Sequence, residues 1–323
     1  CKYILSVRGW FAVSFNIYLS QAKQIKDAVQ IPCMVGLGVQ TASLAESILE
    51  SGQGDFIALA KQEIADCNWP NKVKNNQEDD IRPCIKCLVG CTDNGIIGHH
   101  PIRCAVNPTV YKYYEDKYPQ AKVVKNVAVI GAGPAGMEAA LTLVKRGHKV
   151  TVYEKRKIGG TLHEASSADY KKDIKLFINY YEKQAQKYHL NIIQEEATYD
   201  TIVNGGYDAC IIATGGKPRT LDVNGLETGK VTYALNYLNG EVKFDGENAL
   251  VIGGGITGAE VAVELAKEGK KVTIIEVMDQ FLALPSAVIP AYQMAVEQAG
   301  VKVITGHRLD YVDHDQAIIV DRF

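Results

Sequence analysis

The sequence predicts an α/β protein in three parts: a short parallel β/α unit, a cysteine-rich segment, and two Rossmann-like dinucleotide-binding domains. Three observations carry this. Residues 17–58 alternate between helix-like and strand-like patterns. Four of the eight cysteines, Cys84, Cys87, Cys91 and Cys104, follow a C-x2-C-x3-C-x12-C pattern. Asn126–Glu154 and Asn248–Glu276 repeat one pattern at an offset of 122 residues, Gly131 to Gly253.

A chain of 323 residues allows two domains and a part of a third. Apolar content of 47% and charged content of 22% are ordinary for a globular protein. A net charge of −2 provides no footprint for nucleic acid. No apolar run reaches a membrane-spanning length, so no membrane partner is expected and the protein reads as cytoplasmic. Cys1–Leu19 is apolar enough to resemble a signal peptide. Arg8 interrupts it and no initiator Met precedes it, so it reads as the interior of a longer protein. Cys1, Cys33, Cys67 and Cys210 lack mutual spacing and are expected to be free buried thiols.

In the first part, Ile17, Ala22, Ile25 and Val29 mark one face of a helix over 17–29. Residues 31–35 form a short apolar strand ended by Gly36 and Gly38. Thr41–Leu49 is a second helix with Thr41 or Ser43 as its cap, and Asp55–Ala58 a second buried strand. Two strands cannot close a β/α barrel, which needs about 250 residues. The unit is therefore a small docking piece or the last quarter of a barrel. Asn68–Asp80 is polar and reads as a surface linker.

Closely spaced thiols suit soft metals. Spacing alone leaves zinc and iron–sulfur open, although a structural zinc site usually has a C-x2-C pair at each end. A disulfide reading fits poorly with a reducing compartment. His99 and His100 read as a solvated loop pair, since four thiolates already complete a site.

Each repeat is an apolar strand, a G-x-G-x-x-G turn, a helix, a second strand and a terminal acid. Gly131 and Gly253 permit the tight turn. Gly133 and Gly255 let backbone approach a pyrophosphate, and Gly136 and Gly258 let helix pack on strand. The pyrophosphate would lie at the positive helix N-terminus. Glu154 and Glu276 can accept from an adenosine ribose hydroxyl. A carboxylate about 5 Å from a 2′-phosphate would cost ~3 kcal/mol at an effective dielectric of ~20. Val277, Met278 and Asp279 supply no compensating cation, so NADH is preferred over NADPH. Glu260 reads as a helix-surface residue.

The cysteine segment, Cys-Ile-Lys-Cys-Leu-Val-Gly-Cys followed by Cys104-Ala-Val-Asn-Pro, resembles the [4Fe–4S] segment of the 2,4-dienoyl-CoA reductase and enoate reductase family, relatives of old yellow enzyme. The resemblance covers nearly the whole chain in the family's order. It implies the C-terminal portion of a TIM-type, FMN-binding barrel over 1–75 and a cluster segment over 76–121. An FAD domain over 122–228 and an NAD(H) domain over 229–323 would follow, both incomplete. Pro134, the Gly160-Thr161 loop and the Ala213-Thr214-Gly215 strand end resemble flavin-side features, placing FAD at the first fingerprint and NADH at the second. Cys84, Cys87, Cys91 and Cys104 would hold the cluster. Gly36, Gly38, Ala60 and Lys61 would hold the FMN phosphate, with Lys61 where the family usually has arginine.

By resemblance, electrons would run from NADH through FAD and the cluster to FMN, and on to a small-molecule substrate with an activated C=C bond. Enoyl-CoA thioesters, enoates and unsaturated carbonyl compounds are the candidates. The proton donor would belong to barrel strands outside this sequence, so no catalytic residue is named, and the fragment alone is expected to be inactive. A homo-oligomer stays open. Two rivals remain: an amine dehydrogenase of the same architecture, and an electron-transfer module feeding a partner protein.

Overall fold

The computed structural model describes residues 16–36, 38–110, 118–314 and 316–322. The Cys1–Leu19 segment, Cys1 included, lies largely outside them. The chain divides into two compact units, one holding residues 13–166 and 171–216, the other 167–170 and 217–323.

The first unit opens with the helix Asn16–Ala28, strand β1 (Met34–Val35), the helix Ala42–Glu50 and strand β2 (Phe56–Ile57). β1 and β2 pair in parallel, Met34 opposite Phe56 and Val35 opposite Ile57. Thr41, in extended conformation, caps the second helix by accepting from Leu44 N at 3.3 Å. Thr41→Ala is expected to cost about 1 kcal/mol, read as a lower urea midpoint at unchanged slope. Leu19, Val35, Val39, Ala45, Ile48 and Trp69 form this region's core.

The polar stretch after it is not a structureless linker. Trp69–Lys74 is a helix with a proline in its first turn, where the missing N–H costs nothing. Trp69 is 6% exposed and donates from Nε1 to Gln40 O at 2.9 Å. One aromatic anchor holds a helix too short to leave a periodic signature. A π-helical segment, Val89–Ile97, then carries Cys91.

A four-stranded parallel sheet completes this unit in the order β5-β4-β3-β6. Its strands are β3 (Asn126–Ile130), β4 (Lys149–Tyr153), β5 (Asn191–Ile193) and β6 (Ala209–Ile212). The β-branched residues Val127, Val129, Val150 and Val152 fill the interior. Helix Pro134–Lys145 buries Met137, Ala140 and Leu141, and helix Asp173–Lys187 buries Ile174, Phe177, Ile178, Tyr181 and Ala185, both at helical spacing. One continuous core joins Val129, Val152, Met137, Leu141, Phe177 and Tyr181 to Ala65 and Val106, with Cys84, Ile85 and Cys104 packed against it. The cysteine segment is thus fastened to the dinucleotide sheet.

The second unit has a three-stranded parallel sheet, β7-β8-β9, made of Asn248–Ile252, Lys271–Glu276 and Lys302–Thr305. Helices Ile256–Lys267 and Ile289–Gln298 accompany it, and an antiparallel hairpin follows: β10 (His307–Val312) and β11 (Ala317–Asp321). Glu260 is not on the helix surface. It is 5% exposed and accepts from Tyr292 Oη, because its helix is covered by the next one. No helix among the described residues is long and apolar enough to cross a membrane.

Of the other cysteines, Cys33 and Cys67 are free and half-buried. Cys210 is free but exposed, which differs from the expected buried thiol, because β6 is the edge strand of its sheet and its side chains are largely uncovered.

Candidate functional site

The two fingerprints repeat in atomic detail. Gly131 N donates to Tyr153 O at 2.7 Å, and Gly253 N to Ile275 O at 2.8 Å. Glu154 Oε2 accepts from Ala132 N at 2.7 Å and its Oε1 from Arg156 N at 2.8 Å. Glu276 Oε2 accepts from Gly254 N at 2.6 Å and its Oε1 from Met278 N at 2.8 Å. Each acid pins the glycine turn to the loop after its strand, while a carboxylate oxygen keeps a second lone pair for a ribose hydroxyl. A Cβ at Gly136 would overlap the Gly131 carbonyl oxygen, and one at Gly258 the Gly253 carbonyl oxygen. That close approach is what aims each helix N-terminus at the turn.

The repeats differ one residue beyond this frame. Gly160 and Leu282 both take left-handed backbone, φ +54°, but the hydrogen bond made by Gly159 N at the first turn is made by Leu282 N at the second, so the two loops run one residue out of step. At the first turn, Gly160 brings bare backbone against Gly133, and Gly159 N donates to Ala132 O at 2.9 Å. At the second, Leu282 is 2% exposed and its N donates to Gly254 O at 3.1 Å. Ala213 follows β6 and lies directly against the Gly131 turn, while Thr214 and Gly215 next to it are exposed. Strands β4 and β6 flank β3 on opposite sides, so the first turn opens where parallel α/β sheets place ligands.

The four thiols line one open cavity, with Lys61, Lys86, Arg103 and Val106 in its wall. Lys86 (φ +55°) and Leu88 (φ +61°) take left-handed backbone. The backbone N–H groups of Lys86 and Val89 reach Cys84 and Cys87 respectively, each favouring the thiolate. Burial outweighs this and pushes the bare Cys84 thiol up to about 11, and raises Cys87 also. Gly90 lets the last cysteine in: its carbonyl accepts from Arg103 N at 2.9 Å, and a Cβ there would overlap the Arg103 backbone. Gln62, 3% exposed, donates to Arg82 O at 2.9 Å and accepts from Cys84 N at 3.0 Å. Asn107 Nδ2 donates to Ile64 O at 2.9 Å. Lys86 Nζ pairs with Asp173 at 3.2 Å. His99 and His100 are both exposed.

Gly36 and Gly38 follow β1, and Ala60 and Lys61 follow β2, so these residues gather at the C-terminal ends of two parallel strands. Lys61 begins the helix Lys61–Ala65 and also faces the thiols. Sequence reasoning missed Gln62 and Arg82. Their partners are too distant in the chain for any spacing rule to reveal them.

The chain belongs to the pyridine nucleotide-disulphide oxidoreductases, whose family model matches residues 125–321. A domain of this family implies FAD and a nicotinamide dinucleotide. The chain's relatives include reductases of the enoate and dienoyl-CoA group. The chain is 37% identical over 306 residues to the NADH oxidase of Thermoanaerobacter brockii, covering 92% of this chain and 46% of that protein. It is 34% identical over 269 residues to the cinnamate reductase of Clostridium sporogenes, covering 83% and 40% respectively. A solved 2-naphthoyl-CoA reductase in complex with 2-naphthoyl-CoA superposes with a TM-score of 0.89 at 29% identity, over 94% of this chain and 47% of that one. The chain thus spans less than half the length of these relatives.

Proposed function

We propose that this chain is the electron-input portion of an NADH-dependent flavin and iron–sulfur reductase acting on activated C=C bonds. The observation that carries this is the common core: the four-thiol cavity and the first fingerprint helix pack on the same buried residues. A thiol site built only for local stability has no need to share a core with a dinucleotide turn.

Gly131, Gly133, Gly136, Glu154, Gly160, Thr161, Ala213, Thr214 and Gly215 would hold FAD, and Gly253, Gly255, Gly258 and Glu276 would hold NADH. The bare glycine backbone of Gly159 and Gly160 against the first turn, where the buried Leu282 meets the second, supports that order. Cys84, Cys87, Cys91 and Cys104 would hold a [4Fe–4S] cluster. Four thiols spread around one cavity suit a larger body, and N–H donors to cluster sulfurs are among the groups that tune it. Gly36, Gly38, Ala60 and Lys61 are the candidates for an FMN phosphate in a barrel. Lys61 would then stand between that phosphate and the thiols. When bound, these groups supply hydride acceptance at flavin and one-electron relay at the cluster.

The test is anaerobic iron, sulfide and flavin analysis of the full-length protein. The reading expects about four irons and four acid-labile sulfides per chain, with FAD and FMN together. Zinc without sulfide at these thiols would overturn it. The second fingerprint sets this reading apart from an amine dehydrogenase: NADH is expected to bleach the flavin in a stopped-flow experiment.

A further inference from the structure

We propose that Gln40 and Gln62 are positioning residues for the thiol site. They set Cys84 in place from the parallel β/α part, so the site is completed from outside the cysteine segment. The proposal rests on the four thiols holding a metal centre and does not depend on which metal.

Residues 81–88 lie in neither helix nor strand, so no regular structure supplies partners for their backbone groups. Polar backbone packed away from water must still be paired. Around Cys84 the partners are side chains of the β/α part. Gln62 Nε2 donates to Arg82 O at 2.9 Å, and its Oε1 accepts from Cys84 N at 3.0 Å. One amide thus bridges the chain across Pro83, which has no N–H of its own. Gln40 Nε2 donates to Cys84 O at 2.5 Å. Both peptide groups of Cys84 are then fixed, and rotation about its Cα–Cβ bond is the freedom left to place the sulfur.

The two glutamines are themselves held. Gln62 is 3% exposed, and its carbonyl accepts from Asp66 N at 2.8 Å. Trp69 Nε1 donates to Gln40 O at 2.9 Å. Cys91 and Cys104 are anchored differently. Cys91 sits in the helical segment Val89–Ile97, and Gly90 O in that segment accepts from Arg103 N, beside Cys104. Those two thiols are placed by the cysteine segment, and Cys84 by its neighbour. Outer partners of this kind orient a ligand, and losing one costs about 10–100-fold in metal affinity.

The experiment uses the anaerobic full-length holoprotein and reads the rate at which a chelator removes its metal. Gln62→Met and Gln40→Met keep the side-chain length and delete the amide; each is expected to speed release at least about tenfold. Ile48→Val thins the buried core of the same β/α part and should leave the rate within about twofold. With iron bound, ferricyanide should take one electron from the Gln62→Met cluster, become ferrocyanide and expel the iron at Cys84 as Fe2+. The three-iron cluster left behind has its own EPR signal, while the wild type keeps its full cluster. Unchanged release in both glutamine variants overturns the proposal, as does equal acceleration by Ile48→Val, or loss of the whole cluster with no three-iron stage. If Gln62→Met fails to fold, Gln40→Met decides. Zinc in the wild type would end the iron–sulfur reading but not this one, since zinc release is read in the same way. A wild type without metal overturns both.

Discussion

Arg82→Ala should lower the stability of the unit that holds the thiol cavity by about 3–5 kcal/mol, the usual cost of leaving one partner of a buried ion pair alone. Arg82 is 8% exposed. Its Nη1 and Nη2 grip Glu138 Oε2 and Oε1 at 2.9 and 3.2 Å, Nη1 also donates to Val106 O, and the guanidinium lies 5.0 Å from the Tyr180 ring centre. Its backbone N donates to Asp66 Oδ2 at 2.8 Å. Burial alone would lower the guanidinium's pKa, but Tyr180 and Glu138 reverse this and hold it above its usual value. The side chain therefore clamps both ends of the cysteine segment to the helix that opens at the first fingerprint. Removing it strands the Glu138 carboxylate and releases that clamp. The measurement is the urea midpoint at unchanged slope. The pair Arg82→Met with Glu138→Leu should recover most of the loss, because an apolar pair leaves no orphaned charge. Equal losses in the single and double variants would mean that volume matters here and charge does not.

A second pair of variants should separate the two dinucleotide turns. Gly136→Ala places a methyl group on the Gly131 carbonyl oxygen, and the neighbour is backbone that cannot swing away. Strain of this kind costs about 1–3 kcal/mol or more, and it falls where a pyrophosphate would lie. The FAD released per chain, separated from FMN by chromatography, is expected to drop at least tenfold. Gly258→Ala makes the same clash with the Gly253 carbonyl, yet it should leave FAD bound and abolish bleaching by NADH. The opposite outcome, FAD lost from Gly258→Ala and kept in Gly136→Ala, would exchange the two assignments.

The fingerprints were legible because everything they need is local. A tight turn, a helix start and an acid at the end of the next strand are specified within one stretch of chain, and the structure repeats them bond for bond. The cysteine pattern was legible for the same reason, but its meaning was not. Spacing leaves zinc and iron–sulfur alike open. The packing of Cys84 and Cys104 against the core of the four-stranded sheet is a fact about two segments meeting. Glu260 shows the limit of helical periodicity: a polar residue reads as surface until another helix is known to cover it. Trp69 shows the same limit in reverse, since one buried aromatic turns an apparently polar linker into a packed helix.

By itself, then, the sequence determined two nucleotide turns, their acids and a set of soft ligands in a fixed order, because short-range sterics and hydrogen bonding specify each of them. Tertiary structure alone decided which charges meet. Arg82 finds Glu138, and Arg322 finds Asp279, across many residues of intervening chain. Coulomb attraction acts on distance in space, and that distance exists only once the sheets have closed and brought their loops together.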